Sequence, residues 1–529
     1  MPTIVKALGL KGNPFEHYVA EQEPNIAEYA VKPPYFEAID SRARNTASFI
    51  LFGDRGAGKS ATRLTIFKEL WKLKSAGEAV PLAVNLVDFS SVVSRSQLVN
   101  LSEATLVRDA AFYVVESVLT WLSSLEDDDR KVYLEAMNDE EKGLCYSVLR
   151  DFYLSRPDAA RQRSAHEATA LLNQAFTAKS QLWLSKQWSK VAGIIGIVAE
   201  ILARKSGAEA EISGPIRDIL TEQDPAGFDA LLTIRNLVRF VEIFDFSGIV
   251  VLIDKVDETT ATNNSANQSA ALVHPLLARV QLMEAQGFCW MFFLWSAVRS
   301  IFEGSELPVR LDKLGHATVA WDNKFFKLML DQRVRYFSEN RFDLAGLFQG
   351  DVEQGKFLGE MVKVAMRSPR EVIRIMDVIV REHDVMHAHL DIAPLLTWDA
   401  IEAGLDQYVK DRISSIFGDR LLSQIFRLNR TSFTNKDVQR VFRVGAQSAR
   451  TRIQSWENAG IIKLVGTKQA EGGLGRPVNE YSIMDARIER VMVRQLITYE
   501  GDLEPEPEYL DFFAEAETPQ KTREEKKEG

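Results

Sequence analysis

The chain is poor in cysteine, in histidine and in long apolar runs. Two cysteines, Cys145 and Cys289, among 529 residues exclude a disulfide framework and a four-thiolate zinc site. Both sit in apolar surroundings and read as buried free thiols, a usage that fits a reducing cytoplasm. The seven histidines are scattered. His383 and His387 form one close pair at helical i, i+4 spacing, with no further ligand type nearby, so no zinc centre is expected. No apolar run reaches the roughly 20 residues of a membrane-spanning helix. The most membrane-like window, Val191–Ala203, is shorter and contains Glu200; it reads as a packed helix, and no membrane partner is expected. Met1–Gly12 lacks the apolar stretch of a secretory signal. Positive charge is not in excess either. With 64 Lys and Arg against 74 Asp and Glu, the net charge is −10, which excludes a wholly basic binder but not a local basic patch.

The apolar share of 46% and the charged share of 26% are those of a globular chain. One core stops growing near roughly 250–300 residues, so two or three domains are expected. Residues 1–47, punctuated by Pro14, Pro33 and Pro34, read as a lead-in. Short continuous apolar runs at Ser48–Phe52, Pro81–Leu86, Gly248–Ile253 and Phe288–Trp295 predict strands covered on both faces, as in a parallel sheet. Helical periodicity predicts helices over Ala61–Lys74, Phe228–Ile243 and Ser269–Ala285. The fold class expected is therefore α/β. The domain reading is a core over 48–321 with a helical insertion at about 103–207, a helical lid over 322–415, a separate unit over 416–498 and an acidic tail over 499–529. The tail, with eleven acidic and four basic residues from Glu500 onward, reads as solvated and disordered.

The strongest chemical signal is Gly53-Asp54-Arg55-Gly56-Ala57-Gly58-Lys59-Ser60, which matches G-x-x-x-x-G-K-[ST] without mismatch. A strand delivers the chain into a tight loop whose small residues let backbone N–H groups wrap a phosphate chain. The helix that follows, from about Ala61, aims its positive end at the same anion. Lys59 would reach the β- and γ-phosphates, and Ser60 would hold Mg²⁺. The cofactors expected are ATP, favoured over GTP, and Mg²⁺. A phosphate loop needs an acidic partner. Gly248–Ile253 is an apolar run ending in Asp254, which would bind Mg²⁺ through water. Asp257 or Glu258 could orient the attacking water.

On GDRGAGKS at 53–60, LIDKVDE at 252–258 and SPREVIRIMDVIV at 368–380, the chain resembles the additional-strand P-loop ATPases. Within them it is similar to AAA+ initiators of the Orc/Cdc6 kind and to STAND and KAP signalling ATPases. The resemblance covers about 48–384. It implies that Ser296, at the end of the strand after Asp254, senses the γ-phosphate, and that Arg370 of the lid touches the nucleotide, with Arg374 in reserve. It also implies an arginine finger acting between subunits of a homo-oligomer, for which Arg310 and Arg333 are candidates. The residue after Asp254 is Lys255, where AAA+ proteins carry Glu; the D-x-x-D-E order is closer to STAND and KAP, and hydrolysis is expected to be slow.

From Arg420 the pattern is helix (to Leu428), helix (Asn435–Phe442), helix (Ala446–Ala459), strand (Ile461–Val465), glycine-rich loop and strand (Glu480–Ile483), the order of a winged helix. On the third helix, Ala449, Ile453 and Trp456 face a core, which turns Gln447, Arg450, Thr451 and Gln454 outward, types suited to base edges and phosphates. Lys468 and Arg476 belong to the wing. From Arg420 to Arg494 the net charge is +8, the electrostatic footprint of a nucleic-acid binder. The expected function is an ATP-driven switch that couples nucleotide state to double-stranded DNA, with prokaryotic DNA transactions or phage and mobile-element defence suggested by the resemblance. Two alternatives stay open: a STAND-like sensor whose winged helix contacts protein and whose insertion recognises a partner, and a nucleotide-responsive transcription regulator.

Overall fold

The computed structural model describes residues 3–23, 25–32, 34–89, 98, 101–156, 228–469 and 477–497. Residues 157–207 of the expected insertion, with Val191–Ala203 among them, the wing residue Arg476 and the tail over 499–529 lie outside the described residues. The chain divides into two compact units, Met1–Tyr408 and Val409–Gly529.

The first unit is built on five parallel strands: β1 (Phe49–Gly53), β2 (Leu82–Leu86), β3 (Ile249–Ile253), β4 (Phe288–Trp295) and β5 (Gly315–Thr318). Their order is β2-β3-β4-β1-β5. β1 and β3 are buried at every position, as is β4 up to its last residue, because helices cover both faces. That double cover is why these segments show as unbroken apolar runs. β5 reads Gly-His-Ala-Thr, pairs with β1 alone and is half-buried. An edge strand of this kind leaves no apolar signature, so the sequence did not announce it.

The helices that matter for the site are α1 (Lys59–Ser75), α2 (Glu103–Ser124), α3 (Ala230–Glu242), α4 (Ala266–Leu277), α5 (Asn323–Phe337), α6 (Gln354–Val364), α7 (Pro369–Met386) and α8 (Trp398–Phe417). α2 opens the stretch expected to be an insertion, yet it joins the main core. Leu106, Val107, Val114, Val115 and Val118 are all within 1% of full burial, and Trp121 meets Phe246 edge-on at 5.1 Å. Burial pushes the Cys145 thiol up to about 12, and Cys289 is raised by the same cause, as expected of structural thiols. The rings of His383 and His387 are tilted by 40° with centroids 4.4 Å apart. Among the described residues no group of three or more His, Cys, Asp or Glu side chains could hold a metal ion. None of the described helices is long and apolar enough to cross a membrane.

The second unit contains α9 (Asp419–Leu428), β6 (Ser432–Thr434), α10 (Asn435–Phe442), α11 (Ala446–Asn458), β7 (Ile462–Lys468), β8 (Val478–Ile483) and α12 (Ala486–Arg494). The antiparallel sheet has the order β6-β8-β7. Three helices and the β7–β8 pair follow the expected order. β6 is an addition, three residues too short to give a period. Trp456 fixes the core: it is fully buried, and its indole N–H donates to Gln424 Oε1 at 2.9 Å.

Candidate functional site

β4 lies between β1 and β3. Gly53 pairs with Trp295 and Ile253 with Phe292, so the loop after β1 and the carboxylate after β3 emerge at the same carboxyl edge of the sheet, where open α/β sheets bind ligands. Two glycines shape the loop. Gly56 and Gly58 have φ +77° and +91°, a left-handed backbone that other residues adopt at a cost. At Gly56 a Cβ would also stand 2.6 Å from Ser368 Oγ and 3.0 Å from Arg370 Cβ.

Several carbonyl groups of the loop have hydrogen-bond partners. Trp321 Nε1 donates to Ala57 O at 2.8 Å, and Arg370 N donates to Gly56 O at 3.3 Å. Lys59 Nζ donates to Gly53 O at 2.8 Å and to Asp54 O at 3.0 Å. Burial holds the Lys59 ammonium below its ordinary value, against the opposing pull of Asp254, Asp257 and Asp54. A lysine so desolvated gains by meeting an anion.

The loop opens on a cavity of about 450 Å³, within the usual range for small-molecule sites. Arg55, Gly56, Gly58, Lys59, Ser60 and Ala61 line it from the loop side, and Asp254, Asp257, Glu258 and Arg370 face it from the sheet and α7. The lead-in adds apolar lining from Ile26, Tyr29, Val31 and Phe36, and α7 adds Ile373. Tyr29 is anchored by its hydroxyl, which donates to Glu23 Oε2 at 2.8 Å. Sequence reading treated 1–47 as a mere lead-in. Its contribution carries no motif and arises from folding back onto α1 and α5.

The candidate residues fall into distinct environments. Asp254 is buried; its Oδ1 accepts the Lys255 N–H at 2.9 Å, and its Oδ2 accepts Arg63 Nε at 3.0 Å. Arg63 was not foreseen. It lies one turn into α1, 1% exposed. Asp257 is paired with Arg55, Nε to Oδ2 2.9 Å, and Glu258 is exposed. Ser296 sits beside the loop and donates its hydroxyl to Asp54 Oδ1. Arg374 stacks over the Tyr18 ring at 4.5 Å. Arg333 is 4% exposed, pairs with Glu23, donates to Pro14 O at 2.9 Å and lines the cavity. Arg310 is exposed and pairs with Asp312 at 2.8 Å.

Ser60 and Asp254 offer a hydroxyl and a carboxylate on one cavity wall. Hard oxygen donors in that small number suit Mg²⁺, which keeps waters and takes phosphate oxygens for the remainder. In the second unit, Gln447, Arg450, Thr451 and Gln454 are exposed along α11, while Ala449, Ile453 and Trp456 are buried. Lys468 is exposed at the end of β7, 4.0 Å from Glu480.

No family model matches the chain, and no curated protein matches it. Among solved structures, the Aeropyrum pernix ORC2 protein in its ADPNP-ADP complexes is similar at 10% identity and a TM-score of 0.40, with 90% of this chain and 99% of that chain covered. The Aeropyrum pernix ORC1 protein in complex with DNA is similar at 10% identity and 0.37, with 91% and 98% covered. Drosophila ORC bound to DNA follows at 12% and 0.31, with 88% and 96% covered. At these scores nothing about the site follows from the likenesses. With β4 inserted between the phosphate-loop strand and the strand that carries Asp254, the chain has an α/β fold with a five-stranded parallel sheet.

Proposed function

We propose that this chain is an ATP-binding, ATP-hydrolysing molecular switch that couples nucleotide state to duplex DNA. The observation that carries the reading is the convergence of Lys59, Ser60 and Asp254 on one cavity under a loop with two left-handed glycines. The phosphates lie along the loop N–H groups and the Lys59 ammonium, and the base rests on the apolar lead-in wall. Ser60 and Asp254 would hold Mg²⁺, which would supply charge neutralisation at the phosphate oxygens. Arg370 faces the same space from the start of α7, in the proposed lid over 322–415. Catalysis is then mostly positioning and charge stabilisation.

Within the second unit, residues 416–498 are proposed to be a winged helix that lays α11 in the major groove. Exposed Gln447, Arg450, Thr451 and Gln454, the wing residues Lys468 and Arg476 and the local charge of +8 support that reading. The proposed setting is the cytoplasm, with a homo-oligomer as the working form.

The test is calorimetric titration with ATP and Mg²⁺, followed by phosphate release with and without duplex DNA at two protein concentrations. Saturable binding that Lys59→Ala abolishes, and turnover stimulated by DNA, are the expected results. Absence of triphosphate binding would remove the reading. Binding without turnover would favour the transcription regulator, and turnover without salt-sensitive DNA retention would favour the STAND-like sensor.

A further inference from the structure

The most unusual feature of the site is the company Asp254 keeps. In a buried position, a carboxylate facing a triphosphate adds an anion to a cavity that must admit an anion, and the cost rises as the local dielectric falls. A metal ion ordinarily offsets this. Here a second cation is built into the chain. Arg63 is on α1, one turn after Lys59, with its side chain 2% exposed, and it pairs with Asp254 at 3.0 Å. Its guanidinium makes two further bonds: Nη1 donates to Asn85 Oδ1 at 2.6 Å, near the end of β2, and Nη2 donates to Glu21 Oε1 at 3.0 Å. Glu21 also takes Lys255 Nζ at 3.0 Å, so the carboxylate of the lead-in is itself held by a second cation.

Three fixed partners hold the guanidinium where it is. A fork with five N–H donors fits such a set, and a lysine could not satisfy it. With the Lys255 N–H on Oδ1 and Arg63 on Oδ2, Asp254 keeps its remaining lone pairs for the cavity, since an ionised carboxylate offers about four acceptor positions.

We propose that Arg63 is a positioning residue and the resident counter-ion of Asp254, so that this site admits a nucleoside triphosphate without a metal ion and uses Mg²⁺ for turnover more than for binding. The inference rests on the reading of the cavity as a triphosphate site. It follows that Mg²⁺-free affinity should depend on Arg63, and that the dependence should vanish when Asp254 no longer carries charge.

The experiment is calorimetric titration of the full chain with ATP, once in excess EDTA and once in Mg²⁺. Wild type should bind in both, with the two affinities within about tenfold, the effect of one unit charge at roughly 10 Å and an effective dielectric constant near 20. Arg63→Met should lose a further factor of about ten in EDTA for the same reason, and much less in Mg²⁺. Arg63→Met with Asp254→Asn should recover the EDTA affinity. That double variant buries a near-isosteric neutral pair in place of two charges, a change that folded chains commonly tolerate, and its melting curve verifies folding.

Three results would overturn the proposal: a wild type that binds ATP in Mg²⁺ but not in EDTA, unchanged Mg²⁺-free affinity in folded Arg63→Met, or a folded double variant that remains as weak in EDTA as the single one. A wild type that binds ATP in neither condition would instead defeat the proposed function itself.

Discussion

Arg55 of the phosphate loop and Asp257 beyond β3 form an ion pair, Nε to Oδ2 2.9 Å, with the guanidinium stacked 4.4 Å from the Trp295 ring centroid. Asp257 is thereby tied to the loop, whereas Glu258 faces the cavity in an exposed position. Of the two carboxylates, Glu258 is the freer to meet a water. Glu258→Gln should lower turnover by about 100-fold or more at unchanged ATP affinity. Asp257→Asn should cost about tenfold through loop geometry. Single-turnover phosphate release separates them, and the reverse order would assign the role to Asp257.

The depressed Lys59 pKa gives ATP binding a pH dependence. Burial keeps the free ammonium below the ordinary lysine value, and a bound phosphate raises it again. Affinity is therefore complete below the free-protein value and falls as pH rises from that value toward the complexed one. Binding measured between neutral pH and the ordinary lysine value of about 10.4 should weaken toward the upper end and take up protons, seen as heats that differ between buffers of different ionisation enthalpy. Flat heats would contradict this.

Trp321 closes the loop from outside. It donates to Ala57 O at 2.8 Å, and its ring lies 3.5 Å from where a Cβ on Gly58 would stand. ATP should change its fluorescence, and Trp321→Phe should remove that part of the signal while destabilising the first unit by about 1 kcal/mol for the lost hydrogen bond. A full signal in the variant would place the reporter elsewhere.

Exposed Arg450 on α11 is available to a polyanion without disturbing the buried Ala449, Ile453 and Trp456. Arg450→Ala should weaken duplex binding and, if the contact is to phosphate, reduce the slope of log affinity against log salt by about 1. The melting curve should be unmoved. Filter retention over a salt series measures it, and an unchanged slope and affinity would exclude Arg450 from the interface.

Asp437 caps α10, accepting from Thr434 N and Thr434 Oγ1, both at 2.8 Å. Burial works against its ionised form, but those bonds and the charges of Arg430 and Arg440 outweigh it and hold the carboxyl below its ordinary value. Its stabilisation is present above the ordinary carboxylate pKa of about 3.9 and is lost as pH falls through the lower folded value. Asp437→Asn should blunt the loss of melting temperature below that pH, and Thr434→Ala should cost about 1 kcal/mol at neutral pH.

The amino-acid sequence by itself determined the phosphate loop, the four apolar strands and the outward face of α11. Each rests on local chemistry: glycines that permit a left-handed turn, runs buried on both faces, and a helical period that sends Trp456 inward and Arg450 outward. Only the tertiary structure decided the strand order, the edge strand β5, the base wall from Ile26, Tyr29 and Phe36, and the partnership of Arg63 with Asp254. The two are 191 residues apart in sequence yet meet at 3.0 Å. A period reports which face of one element is buried. It cannot report which distant charge will be brought against it, because that depends on how the sheet is ordered and on which residues are left to compensate one another once water has been excluded.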